Sequence, residues 1–187
     1  MKLLVFAGSL RKASLNRKLA KHIARAAEAE GCEVIYLDLN DYPLPVYNGD
    51  IEDQGMPENV HRLQELMRNA DGFLISTPEY NGAVPAVVKN TLDWMSRKQK
   101  NGDSGGQLFQ AKVAGICSAS PGALGGLRAL LLLRDQLAKL GMWVAPTQFA
   151  LSKASEQFHD DDSLKSDHHE RILAVIRSVM SFHKSHQ

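Results

Sequence analysis

At 187 residues and 20.6 kDa, with 44% hydrophobic and 23% charged residues, the chain has the make-up of one ordered, soluble domain with room for a substantial core. A net charge of +1 gives no field to draw it to nucleic acid or to an anionic membrane surface. The longest strictly aliphatic run, 129–133, is far short of the roughly 20 residues that cross a bilayer.

The opening MKLLVFA runs straight into Arg11 and Lys12 with no cleavage region, so it reads as a first strand of a cytoplasmic protein rather than a leader. Residues 3–7 are apolar without interruption, as expected of a strand buried on both faces of a parallel sheet. Hydroxyls, an amide and cations follow: Ser9, Arg11, Lys12, Ser14, Asn16, Arg17 and Lys18. From Leu15, apolar residues recur at Leu19, Ile23 and Ala26, the spacing of a helix face. A helix start exposes unpaired N–H groups and partial positive charge, so strand, polar turn and helix in this order suggest a phosphate cradle. Ser14 also reads as a plain N-cap, and Arg11 and Lys12 as solvated surface.

A second strand is expected over 33–39, then a long surface loop over 40–57 rich in Asp, Pro, Gly and Asn. A helix over 58–69 and a third buried strand over 72–77 follow. The next helix opens near Pro85, a residue suited to a first turn, with Val84, Val87, Val88, Leu92 and Met95 on one face. On it Asp93 is expected to pair with a neighbouring cation, and Lys89 to be a surface or interface cation. A flexible turn over 101–106 leads to a fourth strand over 112–118, a glycine-rich loop to Gly126, and a leucine-rich helix over 127–140 that Gly141 ends. Arg128 at its start could meet a coenzyme phosphate or a partner subunit. A fifth strand within 143–151 and a last helix over about 163–183 complete the chain.

Strands and helices in alternation imply a doubly wound five-stranded parallel sheet with helices on both faces, in one domain over 1–187. In such sheets ligands bind beyond the carboxyl ends of the strands, where the loops after strands one, three and four converge. The first loop has neither G-x-G-x-x-G nor a P-loop, so the residues favour a singly phosphorylated ligand held without metal.

Other chemistries find less support. Cys32 and Cys117 form no C-x-x-C and read as structural thiols. The runs His159-Asp160-Asp161-Asp162 and Asp167-His168-His169-Glu170 match no metal-ligand spacing and read as a solvated helix entry. Ser118 follows a strand but lacks the G-x-S-x-G of a hydrolase nucleophile.

Two long ordered motifs carry a family resemblance. They are Gly8-Ser9-Leu10-Arg11-Lys12-Ala13-Ser14-Leu15-Asn16 and Thr77-Pro78-Glu79-Tyr80-Asn81-Gly82. With Pro85, Lys89-Asn90, Asp93-Trp94, Ser96-Arg97, Leu44-Pro45-Val46-Tyr47-Asn48, Ser120-Pro121-Gly122 and Gly125-Gly126, the chain closely resembles the NAD(P)H-dependent FMN reductases over about residues 1–145. That flavodoxin-like family includes quinone, azo-dye and chromate reductases. The resemblance implies noncovalent FMN, with Ser9, Arg11, Ser14, Leu15 and Asn16 holding the ribityl phosphate. Pro78, Glu79, Tyr80, Asn81 and Gly82 would line the isoalloxazine, and Ser118 with the loop through Gly126 would close the opposite side. NADPH or NADH would give hydride to the flavin, and free flavin, a quinone or a similar small acceptor would take it. No side chain is then required as a catalyst.

A homodimer or homotetramer is implied as well. The segment 98–110 is longer and more polar than expected of the family, and Gln148 stands where several relatives carry a carboxylate. An electron-carrying flavodoxin is the alternative, but a net charge of +1 lacks the acidic docking field of such carriers. A phospho-receiver would need carboxylates where Gly8 and Ser9 stand. Alanine at Arg11 or Asn16 is expected to weaken FMN binding more than folding.

Overall fold

The strand Lys2–Ala7 (β1) buries Leu3, Leu4, Val5, Phe6 and Ala7, which only an interior sheet position allows. In the computed structural model, which describes residues 1–165 and 168–185, β1 pairs in parallel with Glu33–Leu37 (β2) on one side and Gly72–Ser76 (β3) on the other. Val113–Ala119 (β4) extends the sheet beyond β3, giving the order β2-β1-β3-β4, with a fifth position beyond β4. This is the flavodoxin-like arrangement, and the order turns back between β1 and β3.

The fifth position is filled by two short strands, Trp143–Val144 (β5) and Phe149–Leu151 (β6), both parallel to β4. The continuous strand expected within 143–151 is thus broken. Pro146 lies in the gap and cannot donate to a ladder. Arg134 bridges the break, donating to the carbonyls of Val144 and Ala145 and to Gln148 Oε1 at 3.2, 2.9 and 2.9 Å.

Side chains alternate across β1. Leu3 and Val5 face a core with Leu15–Ala29 (α1) and His169–Ser185 (α6), among them Leu19, Ile23, Ile172 and Val179. Leu4 and Phe6 face the opposite core, built with Glu58–Arg68 (α3), Ala86–Met95 (α4) and Leu127–Lys139 (α5). Each fully buried leucine contributes about 1.5–3 kcal/mol of transfer free energy.

Two local expectations change. The segment 40–57 carries a 3-10 turn, Leu39–Asp41, and the short helix Gly49–Gln54 (α2), whose N-cap Asn48 accepts from Asp50 N. Its 44–48 stretch is held down, because Asn90 Nδ2 and Trp94 Nε1 both donate to Pro45 O at 2.8 Å. The last helix begins at His169 rather than near 163. Before it, Phe158 and Leu164 form an antiparallel bridge, and Asp162 closes the turn at a φ of 65° and pairs with Lys18 of α1. Of the histidine- and aspartate-rich runs, Asp167 lies outside the described residues.

Both cysteines are free and buried, and burial pushes the Cys117 thiol up to about 12. Among the described residues no helix is long and apolar enough to cross a membrane.

Candidate functional site

Where β1 ends, Gly8 passes so close to α4 that a Cβ there would lie 2.3 Å from Val88 Cγ2. The chain then turns through Ser9–Ser14 into α1. Ser14 is the N-cap, accepting from Arg17 N at 3.3 Å, and Ser9 Oγ accepts from Arg11 N at 3.4 Å. Both hydroxyls therefore serve the backbone as acceptors, which leaves their protons available to an incoming acceptor. The N–H groups of Leu15 and Asn16, in the first turn, have no intrahelical partner. Arg17 pairs with Asp38, and Arg11 stands exposed at the rim.

Two residues that sequence reasoning missed brace this turn. Asn40 Nδ2 donates to Leu10 O at 3.3 Å and to Asp38 Oδ1 at 3.0 Å, while Asp38 holds Arg17. Their signal was a polar Asp-x-Asn directly after the strand that neighbours β1.

Asn16 is only 2% exposed and its side chain faces the sheet. Its Nδ2 donates to Ala119 O at 2.8 Å, and its Oδ1 accepts from Ala119 N and Ser76 Oγ at 2.9 Å each.

The loop after β3 forms a two-residue hairpin. Tyr80 and Ala83 exchange both backbone hydrogen bonds at 3.0 Å, with Asn81 at a φ of 51° and Gly82 at 76°. Asn-Gly is the pair that tolerates positive φ at both central positions of such a turn. The turn leaves Tyr80 52% exposed at the cleft mouth. Glu79 points to α5, accepting from Arg128 N at 3.0 Å and lying 3.4 Å from Arg128 Nε.

After β4, Ser118 is fully buried and donates to Gly125 O at 2.6 Å. Gly125 has a φ of 63°, and a Cβ there would lie 2.7 Å from Ser152 N, so backbone packs directly on backbone.

These loops enclose a cleft of about 120 Å³ at the carboxyl ends of β1, β3 and β4. Ser9, Arg11, Ser14, Leu15, Asn16, Pro78, Glu79 and Tyr80 line it, facing Ala119, Ser120 and Pro121. Of the residues singled out from sequence, Asn81 and Gly82 form the turn beyond the lining and Ser118 lies behind the wall, neither lining the cleft itself. The α1 end presents donors only, hydroxyl, amide and guanidinium. The carboxylate of Glu79 faces the Arg128 cation instead.

A cavity of about 260 Å³ opens at the opposite ends of the strands, beside Asp71, Lys112 and His183. There Lys112 Nζ donates to the carbonyls of Met67, Arg68 and Ala70, closing the C-terminal end of α3, and burial pushes its pKa down. It lies away from the converging loops, and its cation is engaged in capping.

A sequence model described as NADPH-dependent FMN reductase matches residues 1–156. A quinone reductase of Pseudomonas putida is 34% identical over 181 residues, 96% of this chain and 93% of that protein. An NAD(P)H-dependent FMN reductase of Pseudomonas aeruginosa is 34% identical over 168 residues, 89% of this chain and 86% of that protein. Among solved structures, the flavoenzyme NAD(P)H:acceptor oxidoreductase FerB of Paracoccus denitrificans superposes with a TM-score of 0.84 at 29% identity, covering 99% of this chain and 98% of that one.

Proposed function

Because the chain belongs to the NADPH-dependent FMN reductase family, we propose that it is an FMN-dependent NAD(P)H oxidoreductase whose flavin lies in the cleft above β1, β3 and β4. The observation that carries the placement is the donor-only end of that cleft. Two buried serine hydroxyls with free protons, two first-turn N–H groups and one exposed guanidinium make a phosphate site without metal.

Bound FMN supplies the acceptance and release of hydride. The chain's work is to bind, orient and exclude water. Ser9 and Ser14 would donate to phosphate oxygens, Leu15 and Asn16 would donate through their backbone, and Arg11 would meet the phosphate from the rim. Asn16 acts further through its side chain, holding α1 against β3 and β4. Pro78, Glu79 and Tyr80 would hold the ring from one wall of the cleft, and Ala119 to Pro121 from the other. Asn81 and Gly82 set the hairpin that carries Tyr80, and Ser118 holds the Gly125 loop in register. Quinones or free flavin are the acceptors this reading favours, since an open ring face admits flat molecules.

We take residues 1–187 as one domain. The exposed Leu127, Leu131 and Leu132 on α5, with Leu124 before it, support a homodimer or a homotetramer covering that face. Two free, buried thiols suit the reducing cytoplasm.

Purified protein is expected to be yellow, to release FMN on denaturation, and to oxidise NADPH or NADH when a quinone is supplied. A colourless protein that ignores added FMN would overturn the reading. Light scattering that finds only monomer would remove the assembly.

A further inference from the structure

We infer that Asn81-Gly82 is a site of spontaneous covalent modification, where Gly82 N closes on the Asn81 side chain and the asparagine becomes aspartate or isoaspartate. The site stands on the geometry of the turn; its effect on the flavin rests on the reading of the adjoining cleft as the flavin site.

The chain holds three Asn-Gly pairs, beginning at Asn48, Asn81 and Asn101. A glycine after asparagine leaves the attacking nitrogen unhindered, so sequence alone ranks the three equally. Their surroundings separate them. Asn48 caps α2, its Oδ1 accepting from Asp50 N at 2.9 Å and its C=O from Ile51 N and Glu52 N. Asn101 Nδ2 donates to Asp103 Oδ2 at 2.7 Å, its Oδ1 accepts from Asp103 N at 3.1 Å, and Gly102 N donates to Gln99 O at 2.9 Å. Rotating either of those peptides breaks backbone hydrogen bonds. Asn81 is exposed, and among the described residues neither its side chain, its C=O nor the Gly82 N–H makes a hydrogen bond.

The Asn81 backbone is also part of the way to the reacting shape. Closing a five-membered ring eclipses Cβ with the next nitrogen, which for an L residue sets ψ at about −120°, the value of the first central residue in a type II′ turn. Positive φ at both Asn81 and Gly82, 51° and 76°, marks the present turn as type I′. The two types share positive φ at the first central position and interconvert by rotation of the central peptide alone. Tyr80 and Ala83 can stay paired meanwhile, and Gly82 takes the new negative φ without strain. Asn48, by contrast, has a φ of −145°.

The Gly82 N–Cγ bond forms as the Cγ–Nδ2 bond breaks, and Nδ2 leaves as ammonia, the Gly82 amide proton balancing it. Water then opens the ring. Attack at Cγ gives aspartate, and attack at the main-chain carbonyl gives isoaspartate, with the backbone running through Cβ. Isoaspartate would lengthen a two-residue hairpin by one atom and shift Tyr80 and Glu79 in the cleft wall. Either product would also set a new carboxylate beside a cleft that takes a phosphorylated anion.

The test ages the purified protein in mildly alkaline buffer, digests it, and maps the one-dalton gain and isoaspartate at all three sites by mass spectrometry. Asn81 is expected to convert severalfold faster than Asn48 and Asn101, and faster still as pH rises. Gly82→Ala, which hinders the attacking nitrogen, should slow conversion at Asn81 and leave the other two sites unchanged. Conversion of Asn48 or Asn101 as fast as Asn81 overturns the site, as does a wild-type rate at Asn81 in Gly82→Ala. The isoaspartate fraction, separated by ion exchange, should bind FMN severalfold more weakly than fresh protein, and equal affinity overturns the effect on the cleft. Fresh protein that binds no FMN fails at the flavin reading, whereas the map of the three asparagines judges the site by itself.

Discussion

Asn16 and Ala119, 103 residues apart, bond to each other twice, side-chain amide to backbone carbonyl at 2.8 Å and backbone N–H to side-chain oxygen at 2.9 Å. Asn16 thus stands in for a missing strand at the end of β4, and Ser76 Oγ ties the same oxygen to β3 at 2.9 Å. The first turn of α1, which lines the cleft with Leu15 and Asn16, is located by this contact on the two strands that carry the other cleft walls.

Asn16→Ala leaves the N–H and C=O of Ala119 and the hydroxyl of Ser76 without their partner in a buried place. The expected cost is at least about 3 kcal/mol, at about 1–3 kcal/mol for each of the three stranded groups, or at least about 6–12 °C in Tm for a chain of this length. Sequence alone puts this residue with Arg11 as one whose loss harms binding more than folding. The contact reverses that order, since folding of the apoprotein should suffer first. Urea denaturation of apoprotein decides, and a wild-type midpoint would refute it.

Arg11→Ala should behave oppositely. The side chain is exposed and has no ion pair among the described residues, so folding stability should stay within about 0.5 kcal/mol. Loss of a charge-assisted bond of about 1.5–3 kcal/mol should raise the FMN Kd by about 10- to 150-fold. Titration of apoprotein by flavin fluorescence reads the Kd, and an unchanged value would remove Arg11 from the phosphate site.

Gly125→Ala tests the packing of the loop after β4. A Cβ at this position meets Ser152 N at 2.7 Å and Leu151 C at 2.8 Å, and the φ of 63° is one that L residues rarely take. The loop must move off β6, at an expected cost of about 1–3 kcal/mol. Because Ser118 Oγ donates to Gly125 O, the shift should also widen the cleft wall and weaken FMN. Thermal melts of apo and FMN-loaded protein should both drop, and a variant as stable as wild type would show that the loop gives freely.

Acid should loosen the seam between α1 and α6. His22 Nε2 lies 3.2 Å from His169 Nδ1, with Arg25 nearby on α1. Burial first, then His169 and Arg25, hold the His22 pKa below its ordinary 6.5. The unfolded chain therefore binds the proton more readily than the folded one, so stability rises with pH. The contribution is complete well above 6.5, declines as pH falls through 6.5, and levels off below the depressed folded value. Between pH 8 and pH 5.5 the Tm of wild type should fall more than that of His22→Gln, and parallel curves would exclude the pair as the source.

Much of this protein is written locally. The apolar run of β1 demands an interior strand because every side chain on it needs cover. Ser14 ahead of a helical stripe marks a cap, and Asn81-Gly82 dictates a tight hairpin since few other residues accept positive φ twice in succession. From such patterns alone follow the alternation of strands and helices, the cleft at their carboxyl ends and the donor character of the first loop.

What the tertiary structure decided is which polar group meets which. Whether Asn16 faces a ligand or Ala119, whether Ser118 lines the cleft or supports Gly125, and whether Glu79 caps α5 at Arg128 depend on groups brought together from far along the chain. The split between β5 and β6 and the hairpin bridged at Phe158 and Leu164 likewise answer to β4 and α1 as neighbours. Periodicity and stereochemistry are properties of a few adjacent residues, so sequence carries them openly. A hydrogen-bond partner is a property of a place in space, and the folded chain alone supplies it.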